Sequence, residues 1–189
     1  MHVLIRCCLY ISLIFAALPA SGDVDIAGIR VADSYLLADH PLVLNGAGIR
    51  SKFFIKVYVG ALYLGKSTSS AEQALESPGP KSMQMIMLYK QVEAAKIAAG
   101  WRDGFKANLS DSQLMQLTAR LEQFNALFPS LTKGDHISMD FVPGKGTIVQ
   151  INDDIRGHIE GADFFKALLQ VWIGNHPADK GLKRGLLGE

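Results

Sequence analysis

Residues 51–64, "SKFFIKVYVGALYL", constrain the fold more than any other stretch of this chain. The odd positions (Ser51, Phe53, Ile55, Val57, Val59, Ala61, Tyr63) are almost all apolar. The even positions begin as Lys52, Phe54, Lys56 and Tyr58 and end as Gly60, Leu62 and Leu64. Period-two alternation in a β-branched and aromatic run marks a strand, so the chain must build a sheet and cover it. The odd face is expected in the core. The even face, polar and then apolar, is expected to form a cleft wall with a charged mouth and an apolar floor.

The rest of the chain supplies partners for that strand. Residues 26–37 and 42–64 read as strands, with "DHP" breaking one from the other. Ser70 followed by Gln73 opens a short helix that "PGP" stops, and 82–89 reads as a strand with Met83, Met85 and Met87 on one face. Ala94, Ile97, Ala98, Trp101 and Phe105 recur at helical spacing. A second capping box, Ser110 and Gln113, opens a helix to about 127, with Leu114, Leu117, Leu121, Phe124 and Phe128 on its stripe. A hairpin follows, "HISMDFV" and "TIVQI" joined by "PGKG", then a strand at 155–159. A last long helix begins near Asp163, faces Phe164, Leu168 and Trp172 inward, and stops at Gly174. This order predicts an α+β fold, an antiparallel sheet with helices on one face.

Ahead of all this stands "CCLYISLIFAALPA", an apolar run too short for a comfortable membrane span, with one basic side chain before it. Ala20 and Gly22 occupy the −3 and −1 positions of a cleavage site before Asp23. Residues 1–22 are therefore expected to be a signal peptide and 23–189 one domain, exported to the periplasm or beyond, with no stable membrane span after cleavage. Cys7 and Cys8 both lie in the leader, so the exported chain has no cysteine and can form no disulfide or thiolate metal site. A net charge of +1, with acids and bases interspersed, points neither to nucleic acid nor to an anionic membrane surface.

Most chemical motifs are incomplete. "PGKGT" (143–147) ends like a phosphate loop, but position 139 is Met where that loop needs Gly. His136, His158 and His176 lack ligand spacing, so neither a metal nor another cofactor is expected. There is no Gly-x-Ser-x-Gly, and Asp153 and Asp154 share a turn. What remains is Arg50, directly after a Gly-x-Gly bend and on one face with Lys56 and Tyr58. A guanidinium and a phenol there make a donor-rich wall suited to a carboxylate or enolate. Alternatively, a loop carbonyl satisfies the arginine and the tyrosine caps a sheet edge. The residues alone leave both readings open.

"LNGAGIRSKFFIKVYVGALYL", "FVPGKGTIVQIND" and "FFKALLQVWIGNHPADKGLKRGLLG", in this order and spanning most of 26–188, resemble the chalcone isomerase-like family in its secreted bacterial branch. The resemblance implies a chalcone isomerase-type open-faced β-sandwich, with helices packed on a large antiparallel sheet and a cleft between. In the plant enzymes of that family, the arginine matched by Arg50 stabilises developing negative charge. Tyr58 stands where those enzymes have threonine, while Glu93 and Gly100 fall where a catalytic tyrosine and asparagine are expected, with Tyr89 nearby but out of register. The fatty-acid-binding relatives instead pair the arginine with a tyrosine, in a strand that "KVYVGA" resembles more closely. The resemblance thus implies non-catalytic binding of a fatty acid or polyketide-like apolar anion, with Arg50, Tyr58, Lys56 and Tyr89 as ligand-binding residues. Two alternatives remain: an intramolecular lyase or isomerase that uses Arg50, and a partner-binding protein with a vestigial cleft.

Overall fold

The computed structural model describes residues 22–189. The expected signal peptide lies outside the described residues except for Gly22. Seven strands form one antiparallel sheet: β3 (Ser34–Leu37), β4 (His40–Lys52), β5 (Ile55–Leu64), β6 (Lys81–Met87), β9 (His136–Val142), β10 (Gly146–Ile151) and β11 (Asp154–Ile159). Their order is β11-β10-β9-β6-β5-β4-β3. Two small hairpins stand apart: β1 (Val24–Ile26) with β2 (Ile29–Val31), and β7 (Gln91–Val92) with β8 (Leu131–Thr132). The helices are α1 (Ala71–Glu76), α2 (Ala94–Asn108), α3 (Asp111–Ala126), α4 (Ala162–Ile173) and α5 (Lys180–Leu186). No described helix is long and apolar enough to cross a membrane.

The α+β expectation holds, with the main core between the helices and one sheet face. Tyr58, Leu62, Met83, Met85, Met87, Ile137 and Met139 supply the sheet side, and Ile97, Trp101, Phe105, Phe124, Phe164 and Trp172 the helix side. Both capping serines act as expected. Ser110 and Gln113 form the full reciprocal box, whereas Ser70 accepts from the Gln73 N–H while the Gln73 side chain meets Thr68 Oγ1 at 2.6 Å.

The expected strand at 42–64 is two strands. A two-residue turn at Phe53–Phe54 folds β4 back on β5, and neither residue is a usual turn former, so the sequence hides the break. The expected strand at 26–37 is likewise cut at Ala27–Gly28 and after Val31. The facial assignment of 51–64 is also corrected. Leu62 and Leu64, expected to line a cleft, lie in the principal core, and Tyr58 belongs to that core while also walling an inner cavity. Val59, Ala61 and Tyr63 bury on the opposite face, in a smaller cluster with Val31, Leu37 and Leu42. Both faces of a central strand are covered here, so alternation could not tell which face meets the helices.

The Gly-x-Gly stretch is not a bend. Gly46 and Gly48 lie within β4, where α5 packs directly on the backbone. A Cβ at Gly46 would sit 2.2 Å from the Gly185 carbonyl oxygen, and one at Gly185 would sit 2.6 Å from that of Ala47. Bare backbone on both sides permits this approach. The buried Asn45 side chain secures it, donating to the Leu186 carbonyl at 2.7 Å and accepting from the Thr68 N–H at 2.6 Å. "PGKG" is the β9–β10 turn, as expected, with Gly144 and Gly146 at positive φ.

Candidate functional site

The β4–β5 hairpin brings Arg50 and Tyr58 together across the ladder rather than along one strand. The register runs Arg50 opposite Tyr58, Ser51 opposite Lys56 and Lys52 opposite Ile55. Val57 is therefore an extra residue on β5, and a bulge of this kind reverses the facing of what lies beyond it. Ile55 and Val57 line an open cleft, whereas Lys56 is exposed and lies outside both that cleft and the cavity beneath the hairpin. The expectation that Lys56 shares the face of Arg50 and Tyr58 fails because of that one inserted residue.

Beneath the hairpin lies a cavity of about 70 Å³, walled by Tyr58, Met85, Met87, Ile97, Trp101 and Leu131. It holds on the order of five heavy atoms, by the space one water needs. Arg50, Val57, Val92, Lys96 and Gly100 line both this cavity and an open cleft of about 1000 Å³. The cleft runs out between α2, the hairpin tip and residues 175–180, past Phe53, Ile55 and Tyr89. Tyr89 is 42% exposed and reaches only this outer part.

The hydrogen-bond accounting at the inner cavity is one-sided. Tyr58 is 5% exposed, and its Oη accepts a 2.8 Å bond from the Trp172 indole N–H. Its own hydroxyl proton meets no protein acceptor among the described residues. The buried Arg50 Nε has no partner, and the guanidinium carbon lies 5.6 Å from the centre of the Tyr58 ring. No acid forms an ion pair with Arg50 among the described residues. Trp101, 6% exposed, lines the same cavity with its Nε1–H also unpartnered. Orphaned buried donors cost roughly 1–3 kcal/mol each. Two orphaned donors and a phenol with a free proton thus belong to residues that line one cavity, an arrangement that an acceptor there would answer.

Electrostatics keep the phenol a donor. Burial pushes the Tyr58 hydroxyl up, and the opposing pulls of the Arg50 charge and of hydrogen bonding to Trp172 and Arg50 do not cancel it, so it stays protonated at neutral pH. Asp179, the N-cap of α5, accepts from the Leu182 N–H at 2.9 Å and from the Ser51 N–H at 3.0 Å. Burial raises its carboxyl, but those bonds, one from the Gly181 N–H and the Arg50 charge outweigh it and hold it below the usual range. Asp179 thereby ties α5 to the strand residue beside Arg50.

Of the two positions matched to the plant enzymes' tyrosine and asparagine, Glu93 is the N-cap of α2, accepts from Ser130 Oγ and Gln91 Nε2, and lines neither cavity. Gly100 lines both, and a Cβ there would meet nothing within 4 Å. The sequence marks Trp101 and Trp172 as core positions on helical stripes and gives neither them nor Lys96 a place in the site. Their signal was the indole N–H, which seeks a partner when buried. His136 lies across the sheet, 3.2 Å from the Gln84 amide oxygen, and no group among the described residues clusters three potential metal ligands.

A family model described as chalcone isomerase-like matches residues 23–188. The chain belongs to the chalcone isomerase-like family. Within the solved structures, this chalcone isomerase-like protein is similar to the crystal structure of a fatty-acid-binding protein from Arabidopsis thaliana. Identity is 16%, the likeness covers 85% of this chain and 92% of the plant chain, and the TM-score is 0.65. At that identity the likeness establishes the fold, a chalcone isomerase-type sheet with helices on one face. No curated protein sequence matches the chain.

Proposed function

We propose that this chalcone isomerase-like protein binds a fatty acid or similar apolar carboxylate, whose head group is held by Arg50, Tyr58 and Trp101. The observation that carries the reading is the pair of buried, unpartnered donors, Arg50 Nε and Trp101 Nε1, with the free phenol proton of Tyr58, all on residues that line one small cavity. A carboxylate is acceptor-only and supplies about four lone-pair sites, so it answers all three at once. Lys96, at the junction of cavity and cleft, adds positive charge. The inner cavity accommodates the head and one or two carbons, so the acyl chain lies outward in the cleft, along Val57, Val92, Ile55 and Tyr89. The structural likeness to a protein named for fatty-acid binding supports the same reading. The isomerase alternative gains no phenol or amide from Glu93 and Gly100.

Two tests follow from the donor set. Organic extracts of natively purified protein, analysed by mass spectrometry, should contain a carboxylic acid with an extended apolar chain. Tyr58→Phe keeps the ring and its packing but removes the hydroxyl donor and the acceptor for Trp172. Affinity for a fluorescent fatty acid should fall by about 1–2 kcal/mol in a titration, a smaller loss than for Arg50. Unchanged affinity would remove Tyr58 from the site.

We also propose export with cleavage before Asp23, which rests on the apolar run at 7–20 and the small residues after it. The intact mass of protein from its native host should correspond to a chain beginning at or near Asp23. A mass that includes Met1 contradicts this.

A further inference from the structure

Among the described residues, four two-residue hairpin turns are of one kind, three in the seven-stranded sheet and one between β1 and β2, each with both central residues at positive φ. They are Ala27–Gly28 (φ 55° and 78°), Ala38–Asp39 (48° and 64°), Phe53–Phe54 (49° and 66°) and Asn152–Asp153 (53° and 68°). Such turns favour Asn, Asp and Gly, and a bulky residue at positive φ is a genuine outlier. Three of the four turns use small or polar residues. The fourth holds two phenylalanines in the strained conformation, and they bury almost nothing: Phe53 is 83% exposed and Phe54 fully exposed. Neither packing nor turn geometry accounts for them, so the strain points to a contact made outside the fold.

The surroundings indicate what that contact is. Ile55 and Tyr89 extend the exposed apolar patch from the turn to the mouth of the cleft. Lys52 and Lys56 flank the phenylalanines in sequence, and the exposed Lys96 and Lys180 line the cleft, where Asp103 is the one acid among the lining residues. From His40 to Ala71 the chain contains no Asp or Glu. The overall charge of +1 conceals this separation. Aromatic tips ringed by lysines match a bilayer interface, where the rings enter the acyl boundary and the ammonium groups meet anionic headgroups. A protein partner could also cover two aromatics, but a ring of flexible lysines suits it poorly, since Lys is depleted from protein interfaces.

We propose that the Phe53–Phe54 tip docks this protein on an anionic phospholipid bilayer. Docking brings the mouth of the cleft to the interface, because Phe53 and Ile55 line that mouth. The inference stands whichever acid the cleft holds.

Co-sedimentation with large unilamellar vesicles tests it, using residues 23–189, which contain every described element. Vesicles of equal parts phosphatidylglycerol and phosphatidylcholine are compared with pure phosphatidylcholine. The protein should sediment with the anionic vesicles, bind the neutral ones much less, and dissociate as salt rises. The double variant Phe53→Asn/Phe54→Gly installs the pair this turn prefers, so its melting temperature should hold or rise. Its partition onto anionic vesicles should nevertheless drop by about tenfold or more. Lys52→Glu/Lys56→Glu should lose anionic binding with the turn intact. Failure of the unmodified protein to bind anionic vesicles overturns the proposal and leaves the tip to a protein partner. Equal binding to neutral vesicles, or undiminished binding by the Asn–Gly variant, overturns it as well.

Discussion

Arg50→Ala should cost about 2–5 kcal/mol of affinity for a long-chain carboxylate, because truncating one member of a desolvated charge pair leaves the other buried and unanswered. The fold should scarcely notice. The Arg50 Nε is already an unpartnered buried donor, so removing it relieves a cost of roughly 1–3 kcal/mol and forfeits a stacking contact with Tyr58 worth about 0.5–1 kcal/mol. The melting temperature should therefore hold or rise slightly while binding collapses. Arg50→Lys should recover only part of the affinity, since an ammonium cannot reproduce the two-pronged grip of a guanidinium. A structural arginine would show the opposite pair of results, a lower melting temperature with unaltered binding. Fluorescent fatty-acid titrations beside thermal melts of the same variants separate the two.

Gly46→Ala should have an effect of similar size on stability. Its Cβ would lie 2.2 Å from the Gly185 carbonyl oxygen and 2.8 Å from that of Leu186, and no flexible side chain is available to yield. The terminal helix must move away. Leu182 and Leu186, both fully buried against the sheet, then lose cover at about 1.5–3 kcal/mol each. The expected loss is thus about 3–6 kcal/mol, measured as a shift in a denaturant midpoint. Binding should weaken too, because Asp179 at the start of α5 bonds the Ser51 N–H next to Arg50. A fully stable Gly46→Ala protein would mean that α5 is not held where the structure places it.

The sequence makes most of the architecture legible, and its failures have definite causes. The helices from 94 to 126 and from 162 to 173, the β9–β10 hairpin and the Met83–Met85–Met87 face all announce themselves through periodicity, caps or a Pro-Gly turn. The β4–β5 turn does not, because Phe-Phe carries no turn signal and continues the strand pattern on either side. That single omission displaces the reading of everything near the site. Arg50 and Tyr58 do share a face, as expected, but across a hairpin. The bulge at Val57, which no residue pattern marks, sends Lys56 to the other side. Gly46 and Gly48 look like a bend and serve as a bed for α5. Trp101 and Trp172 look like core and are core, yet their indole nitrogens complete the polar accounting of the cavity. A period of 3.6 reports where a side chain points and is silent on whether its one polar atom is satisfied.

The central claim is that the buried donors recognise a carboxylate, and a matched pair of ligands measures this directly. Isothermal titration with a fatty acid and with its methyl ester of the same chain length holds the apolar contribution fixed. The acid should bind on the order of 30-fold tighter or better, and Arg50→Ala should abolish most of that preference. Equal affinities for acid and ester in the unmodified protein would contradict the account.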